Sequence, residues 1–229
     1  MTETVAARRP ALTTICTPQG RTTKSLLGYG VIAGPVYVAV SLAQALSRDG
    51  FDLTRHEWSL LANGPAGWIQ PLNLALTGLM VVAAAAGFRR ALVAGPAARW
   101  APRLLAVYGL ALVAAGAFRA DPMNGFPLGT PDGPPVHPTL HGTLHVVSAG
   151  VGFLALVAAT WLLARRAAAE GRRRVAVLTR ATGVVFLVAF AGVASGSGTA
   201  VVNLAFTAAV VLTWVWLSLA SLRRYRSVA

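Results

Sequence analysis

A single cysteine, Cys16, leaves no intrachain disulfide and no cysteine-based metal cluster open to this chain. Acidic residues are scarce too. Seven Asp and Glu stand against 20 Lys and Arg, giving a net charge of +13. Only 12% of residues are charged, whereas a soluble domain carries about 25%, so a soluble globular fold does not fit. Several chemistry-bearing motifs are also missing. There is no P-loop, no Gly-rich dinucleotide fingerprint and no HExxH, and Gly196-Ser197-Gly198 is too short for a nucleophile elbow. No Asp, Glu or Lys lies at the centre of an apolar run, which argues against an ion or proton pump.

What is present is apolar: 55% of the residues are hydrophobic and the mean hydropathy is +0.62. At 1.5 Å per residue, about 20 apolar residues cross a bilayer core. Six runs approach or reach that length, and they predict helices over 26–46, 68–88, 104–118, 140–164, 181–197 and 200–222. Residues 1–25 read as a polar cytoplasmic tail, and 223–229 as a basic one. Cys16 precedes the first run and so does not fit a lipobox. Ala43-Gln44-Ala45 resembles a signal-peptidase site, but the long polar lead-in favours an uncleaved first helix.

The basic residues fall in short blocks between apolar runs. That is the pattern of cytoplasmic membrane loops, and it speaks against nucleic acid as a partner. With both termini and the blocks at 89–103 and 165–180 inside, 17 of the 20 Lys and Arg are cytoplasmic, and only Arg48, Arg55 and Arg119 are outside. The expected fold is all-α: a six-helix transmembrane bundle in the cell membrane, with both termini cytoplasmic. Five of seven acidic residues and all four histidines then lie on the exoplasmic side.

Those ionisable residues concentrate in 118–148. His141 and His145 are four apart and share a helix face, joined by Ser148, while Pro138 sets His137 outside the row. Such a pair can offer two imidazoles to one metal, and a zinc ion needs three or four ligands. The third could come from His56, Asp121, His137 or Glu57. The candidate site is thus Asp121, His141 and His145 as acid/base groups, with His56, His141 and His145 as ligands of a divalent ion such as zinc. Arg119, Gln70 and Asn73 are candidate substrate contacts. A plainer reading stands beside each of these. The histidines could form a hydrogen-bonded polar lid, Arg119 and Asp121 an ion pair or an Asp-Pro turn, and Gln70, Asn73 and Asn203 helix–helix hydrogen bonds.

Around this site, Thr54-Arg55-His56-Glu57 fits a capping box opening a short surface helix, with Trp58 at the membrane interface and Gly64-Pro65 ending it. Trp68, Trp161, Trp214 and Trp216 read as interface anchors. Membrane lipids are expected partners, and a small apolar or lipid-like molecule is an expected ligand.

Three stretches resemble the membrane proteins grouped as domain of unknown function 998. They are Arg48-Asp49-Gly50-Phe51-Asp52 with His56-Glu57-Trp58, then Gly64-Pro65-Ala66-Gly67-Trp68-Ile69-Gln70-Pro71-Leu72-Asn73, and Phe118-Arg119-Ala120-Asp121-Pro122 with His141-Gly142-Thr143-Leu144-His145. The resemblance covers about residues 26–222 and implies a compact six-helix bacterial membrane protein, without implying an activity. A looser analogy runs to membrane hydrolases such as alkaline ceramidases and adiponectin-type receptors, which hold zinc with three histidines near an Asp and a Ser. Those proteins have seven helices with HxxxH on the last, whereas here the motif opens the fourth of six. Two functional expectations follow. One is a membrane-embedded enzyme acting on a lipid or isoprenoid-like substrate at the outer leaflet. The other is a non-enzymatic sensor, accessory subunit or permease component whose histidines are structural or respond to pH, since free histidine titrates near about 6.5.

Overall fold

The computed structural model describes residues 17–228. Residues 1–16, with Arg8, Arg9 and Cys16, lie outside the described residues. Six α-helices follow one another: α1 Pro18–Ser47, α2 Ile69–Ala91, α3 Pro96–Ala117, α4 Leu140–Ala169, α5 Arg173–Ala194 and α6 Ala200–Ser227. Each is long and apolar enough to cross a membrane. The chain is an all-α, multi-pass membrane protein.

Local chemistry sets where the helices start. Thr17, Thr139 and Thr199 are the N-caps of α1, α4 and α6, and their hydroxyls accept from the N–H of Gly20, Gly142 and Val202 at 3.1, 3.0 and 3.4 Å. α3 opens on Pro96, after Gly95 with φ 87°. Several helices outrun their predicted ends. α1 begins at Pro18, so residues 18–25 are helical rather than tail, and α6 continues to Ser227 through the supposed basic tail. α3, α4 and α5 likewise extend into arginine-bearing turns. Hydropathy ends at the first cluster of charges, but Arg and Ala are good helix formers, and long arginines can carry their charge out to water. α3 ends one residue early, at Ala117, and α5 three residues early, at Ala194, where Ser195-Gly196 turns the chain with Gly196 at φ 72°.

The helices form a ring in chain order. Each packs on its neighbours in sequence, α6 returns to α1, and α2 touches α6 across the ring. Glycines set the closest approaches. At the α1–α6 seam, a Cβ on Gly30 would lie 2.3 Å from Ser221 Oγ, and one on Gly34 would lie 2.8 Å from the Trp214 carbonyl oxygen. These two are four residues apart, the small-xxx-small spacing that lets membrane helices pack backbone to backbone. The two ends of the ring differ. The chain crosses the bundle six times, so the long segments 48–68 and 118–139 share one end with the α5–α6 turn, and the arginine-rich turns share the other. At the arginine-rich end Glu170 gathers three partners. Arg166 donates to it at 2.6 Å, Arg172 bonds to it, and Arg224 of α6 lies 3.7 Å away. Burial pushes the Glu170 carboxyl up, but hydrogen bonds from Arg166 and Arg172 outweigh it and hold the group below its ordinary range.

Candidate functional site

The two long segments interlock into a lid over their end of the ring. His56 is its central joint. The Asp52 N–H donates to His56 Nδ1 at 2.9 Å, and His56 Nε2 donates to the Asn124 carbonyl at 2.9 Å. Arg55 pairs with Asp132, and Asn63 donates to the Ala120 carbonyl at 3.1 Å. Arg48 donates to the Leu61 carbonyl at 2.7 Å and lies 5.0 Å from the Phe126 ring. Leu60, Ala120 and Phe126 form a small buried core beneath these bonds. Asn203 joins this lid rather than another helix, donating to the Thr54 carbonyl at 3.1 Å.

The expected capping box does not form. Thr54 turns its hydroxyl and its N–H onto Asp52 Oδ1, at 2.7 and 2.8 Å, and these bonds hold the Asp52 carboxyl below its ordinary range. Glu57 caps nothing. In place of a surface helix, residues Trp58–Ala62 make one 3-10 turn, buried at Trp58, Leu60, Leu61 and Ala62. Trp58 is therefore not at the interface. It packs on Tyr37 of α1 with ring centroids 5.8 Å apart. Trp214 and Trp216 are likewise core residues, Trp214 stacked on Tyr37 at 4.8 Å and Trp216 donating to Thr179 at 3.2 Å.

Beneath the lid, inside the ring, is a cavity of about 620 Å³. All six helices line it, together with the 3-10 turn and the lid. Its deep wall carries Tyr37, Tyr108, Phe153, Phe186, Phe206 and Trp214. Trp214 is the fifteenth residue of α6, so the cavity reaches about 20 Å below the helix ends. Polar groups concentrate near the lid: Glu57, Ser59, Asp121, Thr143 and His145. Val146 and Val147 of α4 and Ala194 of α5 line the cavity and are also exposed on the flank of the ring.

The expected site residues separate. His145 is buried, and its Nδ1 lies 2.8 Å from both the Ala115 and the Phe118 carbonyl oxygens. Two acceptors require Nδ1 to carry the proton, which leaves Nε2 as the basic ring nitrogen. His141 is exposed and packs edge-on to Phe118 at 5.9 Å. His56 has both nitrogens committed. The His56–His141–His145 metal set is therefore not assembled. Among the described residues no group of three His, Cys, Asp or Glu is placed to hold an ion. Asp121 lines the cavity, but both its oxygens clasp the start of α4, accepting from the Thr139 N–H at 2.9 Å and the Thr139 hydroxyl at 2.6 Å. Arg119 is exposed and forms no ion pair with Asp121.

Gln70 and Asn73 line no part of the cavity. They are buried in the α1–α2 interface. There Gln44 donates to Gln70 Oε1 at 2.9 Å, and Asn73 donates to the Tyr37 carbonyl and Ser41 hydroxyl at 3.2 Å each. The helix–helix reading holds for them and the substrate-contact reading does not.

The spacing from Thr54 predicts a helix-cap role for Glu57, with a third metal ligand as the alternative. In the fold Glu57 is a half-buried carboxyl facing the cavity, without an ion pair among the described residues. Burial pushes it above the ordinary carboxylate range, against the smaller opposing effects of its own backbone N–H and of His56. Tyr37 and Tyr108 went unremarked. Polar aromatics in the middle of apolar runs were the available signal.

A family described as Protein of unknown function (DUF998) matches residues 31–223. The chain belongs to the DUF998 family. The match takes in the greater part of α1 and α6, all of α2 to α5, and every residue of the cavity wall. No curated protein and no solved structure matches the chain.

Proposed function

We propose that this DUF998 chain binds a small apolar, lipid-like molecule in the cavity between its helices, in the cell membrane, with the lid on the exoplasmic side. The observation that carries the reading is the cavity itself. Its size falls within the range of small-molecule sites, roughly 300–1,000 Å³. Its walls are aromatic and aliphatic below and polar at one end, and Val146, Val147 and Ala194 belong both to its lining and to the exposed flank. The arginines, which crowd the end opposite the lid, support this orientation. Binding or carriage is favoured over catalysis because the lid's ionisable groups are largely spent on structure. His56, Asp52 and Asp121 hold the fold together.

A second reading, acid–base chemistry on the bound molecule, is supported by His145, whose free Nε2 shares the cavity with the Glu57 carboxyl. Extraction of lipids from protein purified in mild detergent tests the first reading. A stoichiometric apolar molecule should accompany the wild type and be lost from Val210→Phe, which adds bulk to the cavity wall. Equal lipid content in the two proteins would sink the idea.

A further inference from the structure

The arginine-rich end of the ring carries a second concavity, between α2 and α3. The two helices meet backbone to backbone at Gly78 and Gly109, where a Cβ on either would lie 2.5 or 2.6 Å from the other's carbonyl oxygen. Toward the arginine-rich end the facing residues stay small. Ala85 and Ala86 on α2 and Ala98 and Pro102 on α3 leave a groove of about 340 Å³. Three arginines line it, Arg89 from α2 and Arg99 and Arg103 from α3. The tight turn 92–95 brings them to one place. Arg166 of α4 fixes that turn, donating to the Val93 and Ala94 carbonyls at 3.0 Å each.

Among the described residues, none of these three arginines has a carboxylate partner. Glu170, the one acidic residue described at this end, is taken by Arg166, Arg172 and Arg224. Helix energetics do not account for the set. Arg89 suits the last turn of α2, but Arg99 is the fourth residue of α3, where the helix dipole opposes a cation. The Trp100 ring lies 5.2 Å from the Arg99 guanidinium and 5.4 Å from that of Arg103. Trp100 is half exposed, as an aromatic at the membrane–water interface is. One and two turns beyond Arg103, the same face of α3 carries Val107 and Leu110, 40% and 57% exposed. Unpaired positive charge thus sits at interface level, and exposed apolar surface runs from it into the membrane.

We propose that the α2–α3 groove binds an anionic phospholipid, its phosphate against Arg89, Arg99 and Arg103 and its acyl chains along Val107 and Leu110. Guanidinium groups match phosphate oxygens with paired N–H donors. A free phosphate would engage the arginines and leave the apolar strip uncovered, whereas a phospholipid covers both. A choline head would bring a further cation beside three guanidiniums that already lack a counter-charge, so an anionic head is preferred to a zwitterionic one. No residue of this groove lines the cavity beneath the lid, so the site does not depend on what that cavity holds.

The test uses full-length protein, stripped of lipid in detergent and titrated with dioleoyl phosphatidylglycerol or dioleoyl phosphatidylcholine under native mass spectrometry. Phosphatidylglycerol should bind about tenfold more tightly, a modest share of the roughly fivefold that each basic residue near an anionic lipid can contribute. Arg89→Gln, Arg99→Gln and Arg103→Gln together should bring the two lipids to parity. Arg165→Gln, Arg173→Gln and Arg174→Gln together remove the same charge from other exposed positions at that end, and should keep the preference. Ala86→Trp fills the groove from its exposed side without altering any charge, and should weaken phosphatidylglycerol several-fold. The wild-type ranking decides the matter even if a variant folds poorly. Equal affinity for the two lipids, equal loss in the two arginine triples, or full binding in Ala86→Trp overturns the site. Displacement of phosphatidylglycerol by inorganic phosphate or glycerol phosphate would assign the arginines to a soluble anion and overturn the lipid.

Discussion

His56 and His145 are both buried, yet they use their rings in opposite ways. His56 accepts through one nitrogen and donates through the other, and each bond ties a different part of the lid together. His56→Ala should therefore lower stability by about 1–3 kcal/mol, because two backbone groups lose their partner in a closed space. Thermal melting in detergent measures this, and an unchanged melting temperature would show that the lid does not depend on the joint. Glu57 supports a prediction about pH. Its folded pKa is raised, so the folded chain holds the proton more tightly than the unfolded chain does. Stability is then greatest below the ordinary carboxylate range and declines as pH rises through that range toward the raised value. Glu57→Gln should melt higher than wild type at neutral pH, and the gap should close on acidification. A gap that widens in acid would reverse the sign of this argument. The same residue shows where sequence reading failed. A Thr and a Glu three apart specify a cap only if a helix follows, and that depended on where Asp52 sat.

At the scale of elements, the clasp between the lid and α4 is unusually intolerant. The Asp121 carboxylate packs directly on Gly142, where a Cβ would come within 2.1 Å of Oδ2. Gly142→Ala should displace Asp121 from Thr139 and cost about 1–3 kcal/mol, the usual range for overpacking. Amide exchange at Thr139 should rise in the variant, and retained protection there would disprove the clasp. The six helices themselves were legible in the sequence, since apolar length is a one-dimensional signal. Their ends were less so. α1 and α3 each gained eight residues at their starts, from Pro18 and from Pro96, because charged residues that stop a hydropathy run do not stop a helix. Which polar residues face one another was not legible at all. Gln70 and Asn73 needed Ser41 and Gln44 opposite them before their role was visible. Helical spacing gave the neighbours of His145 on its own helix, but it could not give the Ala115 and Phe118 carbonyls of the α3 end that fix its ring.

At the scale of the whole molecule, the asymmetry between ends is the main feature. Glu170 is the one acidic residue described at the arginine-rich end, and it holds α4, the following turn and α6 together there. If that end is cytoplasmic, a cysteine introduced at Val136, which is 87% exposed in the lid, should react with an impermeant maleimide on intact cells in a Cys16→Ser background. Labelling seen only after lysis would invert the topology. The location of the cavity followed from neither charge nor hydropathy. It is a product of ring closure: each helix satisfied by two flanking neighbours leaves the axis incompletely filled, and large aromatics from α1, α3 and α6 shape what remains.

That ring has a consequence for the order of assembly. Neighbouring helices meet as the chain emerges, so five of the six interfaces can form during synthesis, each between the newest helix and the one before it. The seam between α1 and α6 cannot. Gly30 and Gly34 present a bare strip of backbone to lipid until the last helix is made, and the cavity has no complete wall before then. Ligand binding is thus a property the nascent chain acquires only at its final step, and Gly34→Leu should yield a chain that inserts fully yet never closes.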